Sequence, residues 1–273
     1  MNKPKIAFFD LTSCEGCQLT VVDSLQTHPD LLGAVVIVQF REALSERGED
    51  YEIAFVEGSC TRKSDEDRLR HIRKQAKIVV ALGACAHLGG INAIRNRHTL
   101  DDVTGYVYGE TGHWTDSPYP YPRARVNDDL LQLAPMAQPI EAIIKVDASL
   151  PGCPIDREEF VRVTKQLLQG RQPKIPDYPV CVECKLKENI CLFQRGQVCL
   201  GPVVRAGCGA VCPTYGDACQ GCRGLISHPN VDSMQAVLSE AGLTTDDILT
   251  RFTSFNTYPL MKREPSVAEA DLK

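Results

Sequence analysis

Cysteine is the residue type in this chain whose number and spacing point most directly to chemistry. The 273 residues include 13 cysteines. They are Cys14, Cys17, Cys60, Cys85, Cys153, Cys181, Cys184, Cys191, Cys199, Cys208, Cys212, Cys219 and Cys222. In a reducing compartment, so many thiols indicate metal ligation rather than disulfide bonds. Three iron–sulfur clusters with four thiolates each would use all but one of them.

The first five cysteines each follow a predicted strand. Cys14 and Cys17 come after the first strand, Cys60 after the third, Cys85 after the fourth and Cys153 after the fifth. Because the carboxyl ends of parallel strands meet at one edge of a sheet, we expect these thiols to converge there. Three of them would arrive singly from separate loops, whereas zinc sites prefer two close pairs. The spacing therefore favours an iron–sulfur cluster.

The other eight cysteines lie within residues 181–224. Their spacing is C-x2-C-x6-C-x7-C, followed by C-x3-C-P-x5-C-x2-C. Eight thiolates match two 4Fe–4S clusters or two tetrahedral zinc sites, and spacing alone does not divide them into two groups. The segment has little aliphatic content, so we expect bound metal to supply much of its folding energy.

Alternating strands and helices must position the first five thiols. Predicted strands cover Lys5–Leu11, Ala34–Phe40, Tyr51–Val56, Lys77–Gly83 and Ala142–Asp147. Two helices are predicted over Ser64–Lys74, with Ser64 as the N-cap, and over Asp156–Gln169, ended by Gly170. This order predicts an α/β fold with a flavodoxin-like doubly wound parallel sheet.

A small cysteine-rich, cluster-binding domain is predicted to follow the sheet. The proline-rich segment 171–180 has the composition of a linker. We therefore expect a flavodoxin-like domain over residues 1–172 and an iron–sulfur domain over residues 173–273. The latter ends in two predicted helices, Val231–Ala241 and Asp246–Phe255.

Composition excludes two classes of partner. The net charge is −5, whereas nucleic-acid binders usually carry a basic excess. No apolar run approaches the length of a membrane-spanning helix, and the N-terminal residues lack the pattern of a signal peptide. We expect a cytoplasmic protein that binds neither nucleic acid nor membrane.

Four motifs in this order resemble the small subunit of NiFe hydrogenases, over nearly all of residues 5–224. They are Cys14-Glu15-Gly16-Cys17, Gly83-Ala84-Cys85 with Gly89-Gly90, Pro151-Gly152-Cys153-Pro154, and Cys191 through Cys199-Leu200-Gly201-Pro202. The resemblance implies an electron-transfer subunit with three 4Fe–4S clusters and no catalytic residue of its own. It also implies that nickel, flavin and nucleotide are absent from this chain.

The resemblance further implies an assignment of the ligands. The proximal cluster would be held by Cys14, Cys17, Cys85 and Cys153, the distal cluster by Cys181, Cys184, Cys191 and Cys199, and the medial cluster by Cys208, Cys212, Cys219 and Cys222. Cys60 is left over. It is either a near neighbour or alternative ligand of the proximal cluster, or a buried residue that binds no metal.

Four positions depart from membrane-bound or oxygen-tolerant relatives. Cys181 stands where many relatives have histidine, and Cys212 supplies a fourth medial ligand that many lack. Gly16 and Gly90 stand where oxygen-tolerant relatives carry extra cysteines. The segment Glu57–Arg62 resembles the bidirectional, NAD(P)-linked group.

Two partners are implied by the resemblance. The large subunit, which carries the NiFe site, is expected at the proximal edge near the aromatic and proline-rich insert 113–139. The alternative for this insert is a loop folded on its own domain. A flavin/iron–sulfur diaphorase-type or ferredoxin-linked subunit is expected at the second domain.

Two other functions compete with this interpretation. The related cluster subunit of NADH dehydrogenase has adjacent cysteines in its first motif, whereas two residues separate Cys14 and Cys17 here. A zinc-stabilised interaction or scaffold subunit is the non-redox alternative.

Overall fold

Seven strands form two sheets in the computed structural model, which describes residues 3–108 and 133–263. The strands are β1 (Lys5–Asp10), β2 (Val36–Phe40), β3 (Ile53–Glu57), β4 (Cys60–Arg62), β5 (Ile78–Leu82), β6 (Leu133–Gln138) and β7 (Ala148–Leu150). Five of them pair in parallel in the order β2-β1-β3-β5-β7. Numbered within the sheet, this is the 2-1-3-4-5 order of flavodoxin-like folds. The remaining two, β4 and β6, pair antiparallel.

Helices cover both faces of the parallel sheet. The helices are α1 (Gly16–Thr27), α2 (Pro29–Ala34), α3 (Lys63–Gln75), α4 (Gly83–Leu88), α5 (Leu100–Tyr108), α6 (Arg157–Leu168), α7 (Val180–Leu186), α8 (Val211–Thr214), α9 (Val231–Glu240) and α10 (Thr245–Arg263). Apolar residues of α1 and α6 pack on one face, and those of α3 pack on the other. The predicted α/β fold with a parallel sheet is confirmed.

Alternating side chains of β1 contribute to two cores. Phe8 packs on the α1/α6 face, where its ring centroid lies 5.0 Å from that of Phe55. Phe55 in turn lies 5.6 Å from Phe160 of α6. Phe9 faces the opposite core, beneath α3. Because a strand alternates faces at every residue, both cores hold β1 in one register.

The first four predicted strands are confirmed to within two residues at each end. The fifth is wrong, because β7 lies at Ala148–Leu150 and pairs with β5 from Ala148 onward. The apolar residues before it, Ile140, Ile143 and Ile144, are spaced at three and four positions and pack beneath α3. That spacing belongs to helical turns, and a 3-10 turn covers Ile140–Ala142.

Helix ends were predicted with mixed success. Ser64 is not the N-cap of α3, since the helix begins at Lys63 and the Asp65 carboxylate accepts the backbone N–H of Arg62 at 2.9 Å. Helix α6 begins as predicted. The Asp156 side chain accepts the Glu159 N–H at 2.8 Å, and a glycine with φ +68° follows the helix at position 170.

The cysteine-rich part has a small core of its own. Leu200, Val204 and the helix residues Leu238 and Phe252 pack together there. Helix α10 also packs against α4 and the 3-10 helix Ile91–Arg97. The C-terminal part therefore lies against the carboxyl edge of the sheet.

Two further predictions concern the insert and membrane spans. Most of the 113–139 insert lies outside the described residues, and its last part forms β6. Among the helices within residues 3–108 and 133–263, none is long and apolar enough to span a bilayer.

Candidate functional site

Four of the strand-end thiols come together at the carboxyl edge of the sheet. We call Cys14, Cys17, Cys85 and Cys153 the edge set. Cys14 precedes α1, Cys17 lies in its first turn, Cys85 lies in α4, and Cys153 follows β7. Burial, reinforced by the negative charges of Cys153 and Cys14, raises the pKa of the Cys85 thiol to about 12. Burial raises the pKa of Cys17 most, followed by the negative charge of Glu57. The charges of Cys153 and Cys85 raise it further.

Close backbone approach accompanies the edge set. A Cβ at Gly83, whose φ is +84°, would lie 2.4 Å from the sulfur of Cys17. A Cβ at Gly90 would lie 3.0 Å from the sulfur of Cys85. Only glycine fits such positions, so peptide groups can line an inorganic core at van der Waals distance.

Glu57 is a site residue that sequence reasoning did not assign a role. It ends β3 and is buried, with its carboxylate accepting the N–H groups of Cys17 at 3.2 Å and Gln18 at 2.9 Å. Glu57 thereby caps the N-terminus of α1. Glu15, the residue before that helix, makes no side-chain cap of its own. Burial raises the pKa of Glu57. A carboxylate at the end of an otherwise apolar strand was the available signal.

A second group, the outer set, consists of Cys181, Cys184, Cys191 and Cys199. Burial and then the charges of the other three members raise the pKa of Cys181 to about 11. A Cβ at Gly201 would lie 3.3 Å from the Cys181 sulfur and 3.4 Å from the Cys199 sulfur. Two thiols of this set thus share one glycine-lined space.

A third group, the middle set, consists of Cys208, Cys212, Cys219 and Cys222. Burial raises the pKa of Cys222 to about 11, with Cys208 and Cys212 adding to the effect. Burial and then Cys208 raise the pKa of Cys212. Burial also raises the pKa of Cys219, which lies near both Cys222 and Cys208.

Contacts of two kinds connect the three sets. After the larger effect of burial, the backbone and the charge of Cys153 both act on the pKa of Cys222, which places the edge set beside the middle set. The backbone N–H of Cys219 donates to the sulfur of Cys199 at 3.3 Å, which joins the middle set to the outer set. The sets therefore stand in a row with the middle set in the centre.

The donor sets fit iron–sulfur clusters. All thirteen thiols are free. In each set, burial and then the charges of neighbouring thiols raise the pKa of a member, so its thiolate form needs a compensating cation. Within the described ranges, no three His, Cys, Asp or Glu side chains are close enough to hold a single metal ion. Four thiolates per set match the number of ligands that a 4Fe–4S core takes.

Cys60 lies apart from the edge set. It is 1% exposed and packs in the α3 core, while Cys17 packs in the core on the opposite face of the sheet. Burial and then the carboxylates of Asp65 and Glu66 raise the pKa of Cys60 to about 11. Its surroundings are those of a core residue.

The chain is similar to known proteins over most of its length. The family described as "NADH ubiquinone oxidoreductase, 20 Kd subunit" matches residues 14–167. Sulfhydrogenase 2 subunit delta from Pyrococcus furiosus is 33% identical over 253 residues, covering 92% of this chain and 98% of that protein. A crystal structure of an NAD+-reducing [NiFe]-hydrogenase in the H2-reduced state includes a chain with 30% identity and a TM-score of 0.56. The chain belongs to the family of NiFe hydrogenase small subunits.

Membership in this family confirms the resemblance that the four cysteine motifs predicted. The protein is the electron-transfer small subunit of a hydrogenase, an oxidoreductase that also contains a large subunit. A further relative, from Archaeoglobus profundus, is named as an iron–sulfur subunit of an F420-non-reducing hydrogenase and is 26% identical over 289 residues, or 90% of each chain. The small subunit described here is accordingly an iron–sulfur subunit.

Relatives differ in how much of this small subunit they match. The match with the NAD+-reducing hydrogenase chain includes 96% of that chain but only 64% of this one. The Pyrococcus and Archaeoglobus relatives extend over at least 90% of it. About a third of this small subunit therefore has no counterpart in the NAD+-reducing enzyme's chain.

Proposed function

We propose that this small subunit carries electrons between the NiFe site of the large subunit and a second redox partner through three 4Fe–4S clusters. The edge set would hold the proximal cluster, the middle set the medial cluster and the outer set the distal cluster. When bound, such clusters accept and donate single electrons. We further propose residues 1–172 as the flavodoxin-like domain and 173–273 as the iron–sulfur domain.

The row of thiol sets is the observation that carries this proposal. Cys219 donates a hydrogen bond to Cys199, and Cys222 lies close enough to Cys153 for their electrostatic interaction, so the middle set adjoins both other sets. N–H groups directed at ligand sulfurs raise a cluster's potential and limit reorganisation around it. The chain's own contribution is to hold the three sets in order and to bury one thiol of each, Cys17, Cys219 and Cys199.

Exposed apolar side chains flank the two ends of the row. Near the edge set, Leu19 of α1 and Ile91, which follows Gly90, are more than half exposed. Near the outer set, Leu186 is 78% exposed and Ile190, which precedes Cys191, is 57% exposed. Subunit interfaces bury such residues. We assign the edge-set end to the large subunit and the outer-set end to the second partner.

The second partner is proposed by class. Relatives are named as an NAD+-reducing hydrogenase, an F420-non-reducing hydrogenase and a sulfhydrogenase. A flavin/iron–sulfur diaphorase-type subunit or a ferredoxin-linked subunit fits a one-electron relay that ends at a surface cluster. The thirteen free thiols of this small subunit favour the reducing cytoplasm as the location of the protein.

Cys60 is proposed to bind no metal. It lies in the α3 core, and Asp65 and Glu66 are its charged neighbours. A small buried thiol is a common core residue.

Metal analysis and EPR of the anaerobically purified complex test the proposed function. We expect about twelve irons in this chain and three reducible cluster signals. Zinc without iron would establish the scaffold alternative. A single cluster signal would refute the three-cluster relay while leaving family membership intact.

A further inference from the structure

Arg223 is the largest fully buried side chain of the described residues. It is 1% exposed, and its guanidinium is surrounded by acceptors. Nε donates to the carbonyl of Ala206 at 2.7 Å, and Nη1 donates to the carbonyl of Pro151 at 2.6 Å. Nη1 and Nη2 also contact the two carboxylate oxygens of Glu159, at 2.8 and 3.1 Å. All three nitrogens are engaged inside the protein.

The backbone acceptors belong to loops that carry cysteines. Pro151 lies two residues before Cys153 of the edge set. Ala206 lies two residues before Cys208 of the middle set, and Arg223 itself follows Cys222. The Arg223 side chain therefore joins the Cys153 loop at the edge of the parallel sheet to two segments of the middle set.

The surroundings are shaped for a guanidinium. A Cβ at Gly207, whose φ is +113°, would lie 2.2 Å from Nη2 of Arg223. Glu159 is 3% exposed and is also paired with Arg162 at 3.2 Å. A buried carboxylate and two buried carbonyls on different segments require a planar donor with several N–H groups, which lysine does not offer.

We propose that Arg223 is a positioning residue that fixes the separation and orientation of the proximal and medial clusters. The inference rests on the proposed function, because it requires clusters in the edge and middle sets. Arg223 ties the Cys153 loop to the Cys208 loop at the same junction where Cys153 adjoins Cys222. Arg223 is thus a direct hydrogen-bonded bridge between these two sets.

The test compares variants of the intact complex by iron content and by EPR of the dithionite-reduced protein. Arg223→Lys keeps the positive charge but cannot span the two carbonyls. We expect it to retain iron, to weaken the spin–spin coupling between the proximal and medial signals, and to leave the distal signal unchanged. Arg162→Met is the matched control. Among the described residues, Arg162 hydrogen-bonds the Glu159 carboxylate and the Lys174 carbonyl and touches neither cysteine loop. Its replacement should therefore leave all coupling unchanged.

A second variant separates the bridge from the ion pair. Glu159→Gln weakens the ion pair but leaves the Pro151 and Ala206 carbonyls in place, so the coupling should persist. Equal loss of coupling in Glu159→Gln and Arg223→Lys would overturn the proposal, as would unchanged coupling in Arg223→Lys. A wild-type complex without iron in this chain would instead refute the proposed function itself.

Discussion

The backbone N–H of Cys219 lies 3.3 Å from the sulfur of Cys199 and donates a hydrogen bond to it. These residues belong to the middle and outer sets, so the two sets share a direct polar contact. Cys199 also raises the pKa of both Cys219 and Cys212, after the larger effect of burial. For Cys181, by contrast, the thiols that raise its pKa after burial all belong to the outer set.

This contact predicts different effects for two alanine variants. Cys199→Ala and Cys181→Ala should each eliminate the distal cluster signal. Only Cys199→Ala should also alter the medial signal, because the Cys219 N–H then loses its acceptor. EPR-monitored redox titration measures both signals. An unaltered medial signal in Cys199→Ala would contradict the proposed contact between neighbouring clusters.

Gly83→Ala should abolish the proximal cluster. The added Cβ would lie 2.4 Å from the Cys17 sulfur, and the residue has φ +84°, which strains any L side chain. We expect a loss of about four irons per chain. Gly33→Ala is the matched control, since nothing lies within 4 Å of its Cβ position. Iron content equal to wild type in Gly83→Ala would contradict the edge-set assignment.

His87 should make the protein less stable in mild acid. Burial, reinforced by the charges of Arg205 and Arg223, lowers its pKa from 6.5 to about 4. The unfolded chain thus takes up this proton first, so stability is complete above pH 6.5 and falls as the pH drops towards 4. The slope should be at most about 1.4 kcal/mol per pH unit.

Thermal unfolding from about pH 5 to about pH 7 measures this effect. His87→Gln should flatten the dependence of Tm on pH. His228→Gln, at an exposed position, should retain the wild-type slope. Equal slopes in both variants would show that His87 does not contribute.

Phe160→Ala should destabilise the sheet domain by about 3–5 kcal/mol. The ring is fully buried and lies 5.6 Å from Phe55 and 6.4 Å from Phe8, so its removal leaves a cavity between α6 and the sheet. Urea unfolding measures the change. Leu44→Ala, at an exposed position, should change stability by less than about 0.5 kcal/mol. Similar losses in the two variants would be inconsistent with the core described here.

Sequence patterns were sufficient where a feature depends on local residues. The apolar runs at β1, β3 and β5 and the Asp156 and Gly170 helix signals are contained within a few positions each. Convergence of strand-end cysteines followed from the parallel topology. These features needed no knowledge of distant contacts.

Features that depend on pairing across the chain escaped the sequence. The position of β7 is determined by its register with β5, and the apolar residues before it are needed beneath α3. Cys60 follows a strand like the other four thiols, but its pairing with Gln138 of β6 turns it into the α3 core. The sequence gives no sign of the role of Arg223, because its partner Pro151 lies 72 positions away.

Strand β7, the last to join the parallel sheet, carries a consequence for biosynthesis. It delivers Cys153, and its partner β5 precedes it by dozens of residues. Cys14 and Cys17 emerge from the ribosome long before the thiol that completes their group. Under the proposed ligand assignment, a cluster at this edge can therefore be completed only after more than half of the polypeptide has been translated.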